Sequence, residues 1–174
     1  RNYRWRCEAT QKTGAIKMNQ QELIERIKTE LGDKIVEISS PAERRVFLTV
    51  TGENLVDTVK KLRDSFDFYH LSTITGMDTL SSFEILYHLA NKLCCLTVRV
   101  SIDRNNPEIM TICDVIPGAI LYEREIQDLL GIVVKNIPDP RPLVLPDDWE
   151  KGNYPLRKDW NYQAPEEKIP GENK

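Results

Sequence analysis

A chain of 174 residues with 40% hydrophobic and 29% charged content can build one real core and a well-solvated surface, which excludes a mostly disordered polypeptide. The 24 basic and 27 acidic residues leave a net charge of −3, without the basic excess or stripe that nucleic-acid binding shows. No apolar run approaches the roughly 20 residues that span a bilayer and no signal-peptide pattern opens the chain, so membrane association is expected only through a partner.

In chain order, residues 1–17 are basic, aperiodic and carry Trp5. They are read as an extension without a fold role, with Met18 as a candidate natural initiator. Asn19 is an N-cap with Glu22 as its capping-box partner. Leu23, Ile24, Ile27 and Leu31 follow at helical spacing, and Gly32 stops the helix. Lys34–Ser39 alternates as a strand, Pro41–Arg44 is a turn, and Arg45–Thr51 is a second strand. Leu55, Val56, Val59, Leu62 and Phe66 give a second amphipathic helix.

Tyr69–Thr75, Phe83–Ala90 and Leu93–Ile102 are three strand-like runs, with turns at Asp78–Ser82 and Asn91–Lys92. They are expected to form an antiparallel meander. Asp103–Glu108 is a polar loop, Ala119–Leu130 a helix closed by Gly131, and Ile132–Val134 a short strand. The predicted architecture is a two-layer α+β domain over residues 18–135, with helices on one face of a mixed, mostly antiparallel sheet.

From residue 136 to 174 the character changes. Prolines recur without periodicity, which predicts an extended tail. Leu143, Val144, Leu145, Trp149, Tyr154, Leu156 and Trp160 are scattered through it, more large apolar groups than a disordered linker carries. The tail is therefore expected to lie along a surface, its own or a partner's. Arg157 offers a planar fork suited to carboxylates, and aromatic and Arg anchors are enriched at interfaces.

Catalytic signatures are sparse. No Gly-rich phosphate loop or nucleophile elbow is present. Cys7, Cys94, Cys95 and Cys113 lack the C-x-x-C spacing of zinc and iron–sulfur sites and read as small apolar residues in a reducing compartment. Cys94 and Cys95, adjacent in a strand, should point to opposite faces. His70 and His88 sit in strand-like runs with no ligand at metal-binding spacing. The remaining cluster is Glu123, Arg124, Glu125 and Asp128. Arg124 and Asp128 form an i,i+4 pair, while Glu125 and Asp128 share a face. A carboxylate pair for a metal or acid–base work is one reading. A solvated helix face is the one the residues favour, since no histidine lies nearby. In a third, the charges fix the helix against the tail or a partner.

At these residues a family resemblance emerges. Tyr122-Glu123-Arg124-Glu125, then Asp128, Gly131 and Ile132, resemble the signature of the thirty-kilodalton subunit family of respiratory complex I. Pro138-Asp139-x-Arg141 and Tyr154-Pro155-Leu156-Arg157-Lys158-Asp159 resemble its downstream elements at similar spacing. These motifs cover about a quarter of the chain. Complex I members typically read D-x-F-G-I and H-P-D-L-R-R. Leu130, Pro140, Pro142 and the Leu145-Pro146-Asp147-Asp148-Trp149 run depart from that pattern and look more like the counterparts in energy-converting membrane-bound NiFe hydrogenases and formate hydrogenlyase-type complexes.

The resemblance implies a hydrophilic peripheral subunit on the cytoplasmic side of the membrane. It would dock on a large subunit and stand with iron–sulfur small subunits. The NiFe centre and iron–sulfur clusters would belong to the partners, with no cofactor or catalytic residue in this chain. It further implies a partner-interface role for Glu123, Arg124, Glu125, Asp128, Gly131, Arg141, Trp149, Pro155, Leu156, Arg157, Lys158 and Asp159.

Overall fold

The computed structural model describes residues 19–161, so the expectations for residues 1–17 and for Pro165 and Pro170 lie outside the described residues. Helix α1 spans Gln20–Leu31 and opens with the expected capping box: the Glu22 N–H donates to Asn19, and the Asn19 N–H donates to Glu22. Gly32, at φ 48°, closes it, its N–H donating to the Lys28 carbonyl. Strands β1 (Ile35–Ala42) and β2 (Arg45–Val50) form an antiparallel hairpin. The chain turns at Arg44, which has φ 61° and whose N–H is held by the Gln20 side chain. Helix α2 (Leu55–Phe66) buries Leu55, Val59, Leu62 and Phe66.

Strands β3 (His70–Asp78), β4 (Ser82–Ala90) and β5 (Cys95–Asp103) make the expected antiparallel meander. Sequence reasoning did not supply the join between the two units: β2 pairs with β5 in parallel, giving one mixed sheet of order β1-β2-β5-β4-β3. A parallel pairing leaves no local signal, because its partners lie about fifty residues apart, with a helix and two strands between them. A further short strand, β6 (Glu108–Met110), begins at the last residue of the Asp103–Glu108 polar loop and is not expected from the sequence. It pairs in parallel with β7 (Val133–Lys135) as a small second sheet.

The register puts Ile74, Tyr87, Ile85, Leu89, Leu96, Val98, Val100, Leu48 and Val50 on one face, all buried. Those side chains share a single core cluster with Leu23 and Ile27 of α1 and with the buried face of α2. Helix α3 (Ile120–Leu130) joins the same layer through Ile126 and Leu130, which lie over Gly76 of β3. A Cβ at Gly76 would stand 2.4 Å from the Leu130 side chain, so the glycine lets α3 approach the sheet closely. The opposite face carries Phe47, Thr49, Glu84, Leu86, His88, Thr97 and Arg99. Its His88 bonds Thr97 and Thr75. Cys94 is buried and Cys95 exposed, on opposite sides as the strand period requires.

Candidate functional site

Helix α3 presents its four charges in three directions: Glu123 inward, Glu125 outward, and Arg124 with Asp128 towards the tail. Glu123 points inward and is fully buried. Its carboxylate accepts hydrogen bonds from the Thr111 hydroxyl, from the Ile112 N–H at 2.8 Å and from the Cys113 thiol at 3.1 Å. It thus holds the segment that leads from β6 to α3. Burial, with Glu123 beside it, pushes the Cys113 thiol up to about 12, so this cysteine stays protonated at neutral pH. The expectation that Glu123 meets a partner is corrected: a side chain at zero exposure is not on the docking surface.

Arg124 and Asp128 are one turn apart on α3, yet both reach the tail. Arg124 donates to the Arg141 carbonyl at 2.7 Å, to the Pro142 carbonyl at 2.8 Å and to the Asp139 carboxylate at 3.3 Å. Asp128 accepts from the backbone N–H groups of Leu143 (2.6 Å) and Val144 (2.9 Å). Arg141 folds back on Asp139 at 2.7 and 2.8 Å. Arg141, first, and then Arg124 hold the Asp139 carboxyl well below the usual carboxylate range. Of the three readings of this charged face, the one that fixes the helix against the tail describes Arg124 and Asp128.

The tail returns to the other end of α3 at residues 154–159. The Leu156 N–H donates to the Leu129 carbonyl at 3.0 Å and Arg157 Nε donates to the Leu130 carbonyl at 2.7 Å. Orphan carbonyls of the last helical turn are thereby satisfied, with a cation at the negative end of the helix dipole. The Arg157 guanidinium lies 4.4 Å from the centre of the Tyr154 ring and 5.2 Å from that of Phe83. One residue on, the Lys158 N–H donates to Asp78 at 3.0 Å. Asp78, with a fully buried side chain, also accepts from the Leu80 N–H and bidentately from Arg104. Arg104 in turn bridges to Asp159 at 2.8 Å. The hydrogen bonds from Arg104, then those from Lys158 and Leu80, outweigh burial and hold the Asp78 carboxyl down at about 2. Residues 139–159 therefore form a strap tied to the domain at both ends, without helix or strand of its own.

Residues 48–166 match the family model described as respiratory-chain NADH dehydrogenase, 30 Kd subunit. The chain belongs to this family. Among curated relatives of this complex I-like family, it is 33% identical to a subunit of the F(420)H(2) dehydrogenase of Methanosarcina mazei, over 82% of this chain and 92% of that one. It is 48% identical over 66 residues to formate hydrogenlyase subunit 5 of Escherichia coli, a match covering 38% of this chain and only 12% of that longer protein. Among solved structures, it resembles a chain from the membrane-bound sulfane sulfur reductase, an archaeal respiratory membrane complex, with a TM-score of 0.72 and 25% identity. That match covers 81% of this chain and 85% of the other.

The family signature can now be assigned by contact. Glu123, Arg124, Asp128, Gly131, Arg157 and Asp159 all bind within the chain, as does the backbone of Arg141 and Lys158. Trp149 is half-buried, its ring 6.4 Å from that of Trp160 and its Nε1–H donating to the Asn153 carbonyl. Left facing outward are Glu125, Leu156 (56% exposed), Lys158 and the Arg141 side chain, together with Leu143 and Val144. Sequence reasoning missed Asp78 and Arg104, which fell in segments read as a turn and a polar loop. It also missed Thr111 and Phe83 as contacts of the signature. Their pairings span 12 to 80 residues and leave no local spacing to read. Among the described residues, no three His, Cys, Asp or Glu side chains converge as a metal site, and no helix is long and apolar enough to cross a membrane.

Proposed function

We propose that this chain is a non-catalytic hydrophilic subunit of a membrane-bound energy-converting NiFe hydrogenase complex, and that it works by docking on the large subunit. Its complex would link ferredoxin or formate oxidation and hydrogen chemistry to ion translocation. The observation that supports the reading is the 48% identity to formate hydrogenlyase subunit 5 over a local stretch of 66 residues, where the F(420)H(2) dehydrogenase relative is 33% identical over 147 residues. The departures at Leu130, Pro140, Pro142 and the Leu145–Trp149 run point the same way. The NiFe centre and iron–sulfur clusters are assigned to the partner subunits, and the chain meets the membrane peripherally, on the cytoplasmic side, through the complex. The strap supports a docking role because its charges and backbone hydrogen bonds fix an extended surface against the domain.

A second reading is the equivalent subunit of a quinone-type respiratory oxidoreductase fed by NADH, F(420)H(2) or ferredoxin. The near full-length match to the F(420)H(2) dehydrogenase relative favours it. Purifying the intact complex through a tag on this chain, followed by mass spectrometry and nickel analysis, separates the two. The hydrogenase reading expects a large partner with two C-x-x-C pairs and stoichiometric nickel. A nickel-free complex whose large subunit lacks those pairs overturns it in favour of the second. Recovery without any oxidoreductase subunit overturns both.

A further inference from the structure

Glu125 is the exception in the charged face of α3. Its three charged neighbours in the signature each bind within the chain, whereas Glu125 is exposed and has no hydrogen bond or ion pair among the described residues. It stands at the lip of a groove of about 180 Å³ between α3 and β3, lined by Thr73, Thr75, Gly76, Leu129 and Leu156. Three properties of this groove bear on its occupant. Its floor is apolar, and Leu156 is held there by its backbone bond to Leu129 even though its side chain is 56% exposed. Its wall is β3, an edge strand with no ladder partner on its outer side among the described residues. The one formal charge among its lining residues is the Glu125 carboxylate.

We propose that this groove receives an extended segment of the large oxidoreductase subunit that carries a Lys or Arg beside an aliphatic residue. The basic side chain would pair with Glu125, the aliphatic one would cover Leu129 and Leu156, and the segment's backbone would run along the outer edge of β3 at Thr73–Thr75, beyond the Ser72 carbonyl that already accepts from the Tyr122 hydroxyl. An edge strand supplies backbone donors and acceptors, and a flanking pocket supplies the side-chain choice. A lone carboxylate beside apolar surface selects a basic partner and rejects an acidic one. The strap's role follows from this: by fixing Leu156 against the end of α3, it builds one wall of the groove.

The inference rests on the docking function proposed above, and its test keeps the two apart. A photo-crosslinking amino acid is placed at Leu156 and, in a second variant, at Thr75 of the full chain, expressed within its complex. Crosslinked peptides are then mapped by mass spectrometry. The expected product joins either position to one large-subunit segment containing Lys or Arg. Glu125→Lys should lower recovery of the large subunit about tenfold or more, with the isolated chain's melting temperature unchanged and with recovery restored by an acidic residue at the mapped basic position. Glu125→Gln should give a smaller loss. Crosslinks to residues 1–18 of this chain, to a second copy or to another subunit overturn the inference, as does undiminished recovery with Glu125→Lys. In those outcomes, a large subunit that still co-purifies leaves the docking function standing. Loss of every oxidoreductase subunit from the unsubstituted complex overturns both.

Discussion

Gly131 and Arg157 are packed so closely that no side chain fits between them. A Cβ on Gly131 would lie 2.7 Å from Arg157 Nη2 and 2.4 Å from the Tyr154 ring, and the glycine holds φ at 69°. The same residue therefore ends α3 and admits the strap. Gly131→Ala combines a left-handed backbone penalty with a collision against the Tyr154–Arg157 stack. The expected cost is about 1–3 kcal/mol. Thermal denaturation measures it, and limited proteolysis should show earlier cleavage after residue 150. Unchanged stability with an unchanged digestion pattern would refute the close packing.

Arg124 and Asp128 act on one target, the backbone at residues 141–144, rather than on each other. Either substitution to Ala should free that stretch, at about 1–3 kcal/mol each for hydrogen bonds to a charged group. Because they share the strap, the double variant should cost less than the sum of the singles. A double-mutant cycle by denaturant unfolding tests this. Strict additivity would mean that the two anchors hold independent pieces of chain.

Asp78 gives the strap a pH dependence. Its folded carboxyl titrates at about 2, below the value near 3.8 of an unperturbed aspartate. The unfolded chain therefore binds the proton more readily, so the contribution is present above about pH 4 and is lost as pH falls towards 2. Melting temperature should drop across that window. In Asp78→Asn, which leaves Arg104 without its buried partner, stability should be lower at pH 7 and that portion of the acid dependence should be flattened. An Asn variant with the parent's acid profile would assign the drop to other carboxylates.

The ease with which different parts of this molecule could be read follows from the range of the interactions. The capping box at Asn19, the glycine stops at Gly32 and Gly131 and the β3-β4-β5 meander are local, and periodicity or spacing exposes them. The β2–β5 pairing, the Asp78–Arg104–Lys158 junction and the inward turn of Glu123 are set by tertiary packing. The Leu156-Arg157-Lys158-Asp159 run looked like a partner's handle because Arg and aliphatic residues in an extended stretch suit an interface. The fold instead commits its backbone and its arginine to α3 and Asp78 and ties Asp159 to Arg104, while Leu156 and the Lys158 and Asp159 side chains stay exposed. Glu125 could not be told from Glu123 by residue type; the two separate only once the helix is seated on β3.

Arg157 now carries a different expectation from that of a residue touching a partner directly. It donates to the Leu130 carbonyl and lies over two aromatic rings, a planar role that an ammonium group cannot copy. Arg157→Ala should leave the sheet and its helices folded while loosening residues 154–159, read as faster amide exchange at Leu156 and Lys158. Arg157→Lys should restore little of that protection. Since Leu156 is a wall of the α3–β3 groove, both variants should also reduce co-purification of the large subunit in step with lost protection at Leu156. Normal protection at Leu156 together with lost assembly would instead place the Arg157 side chain itself in the interface.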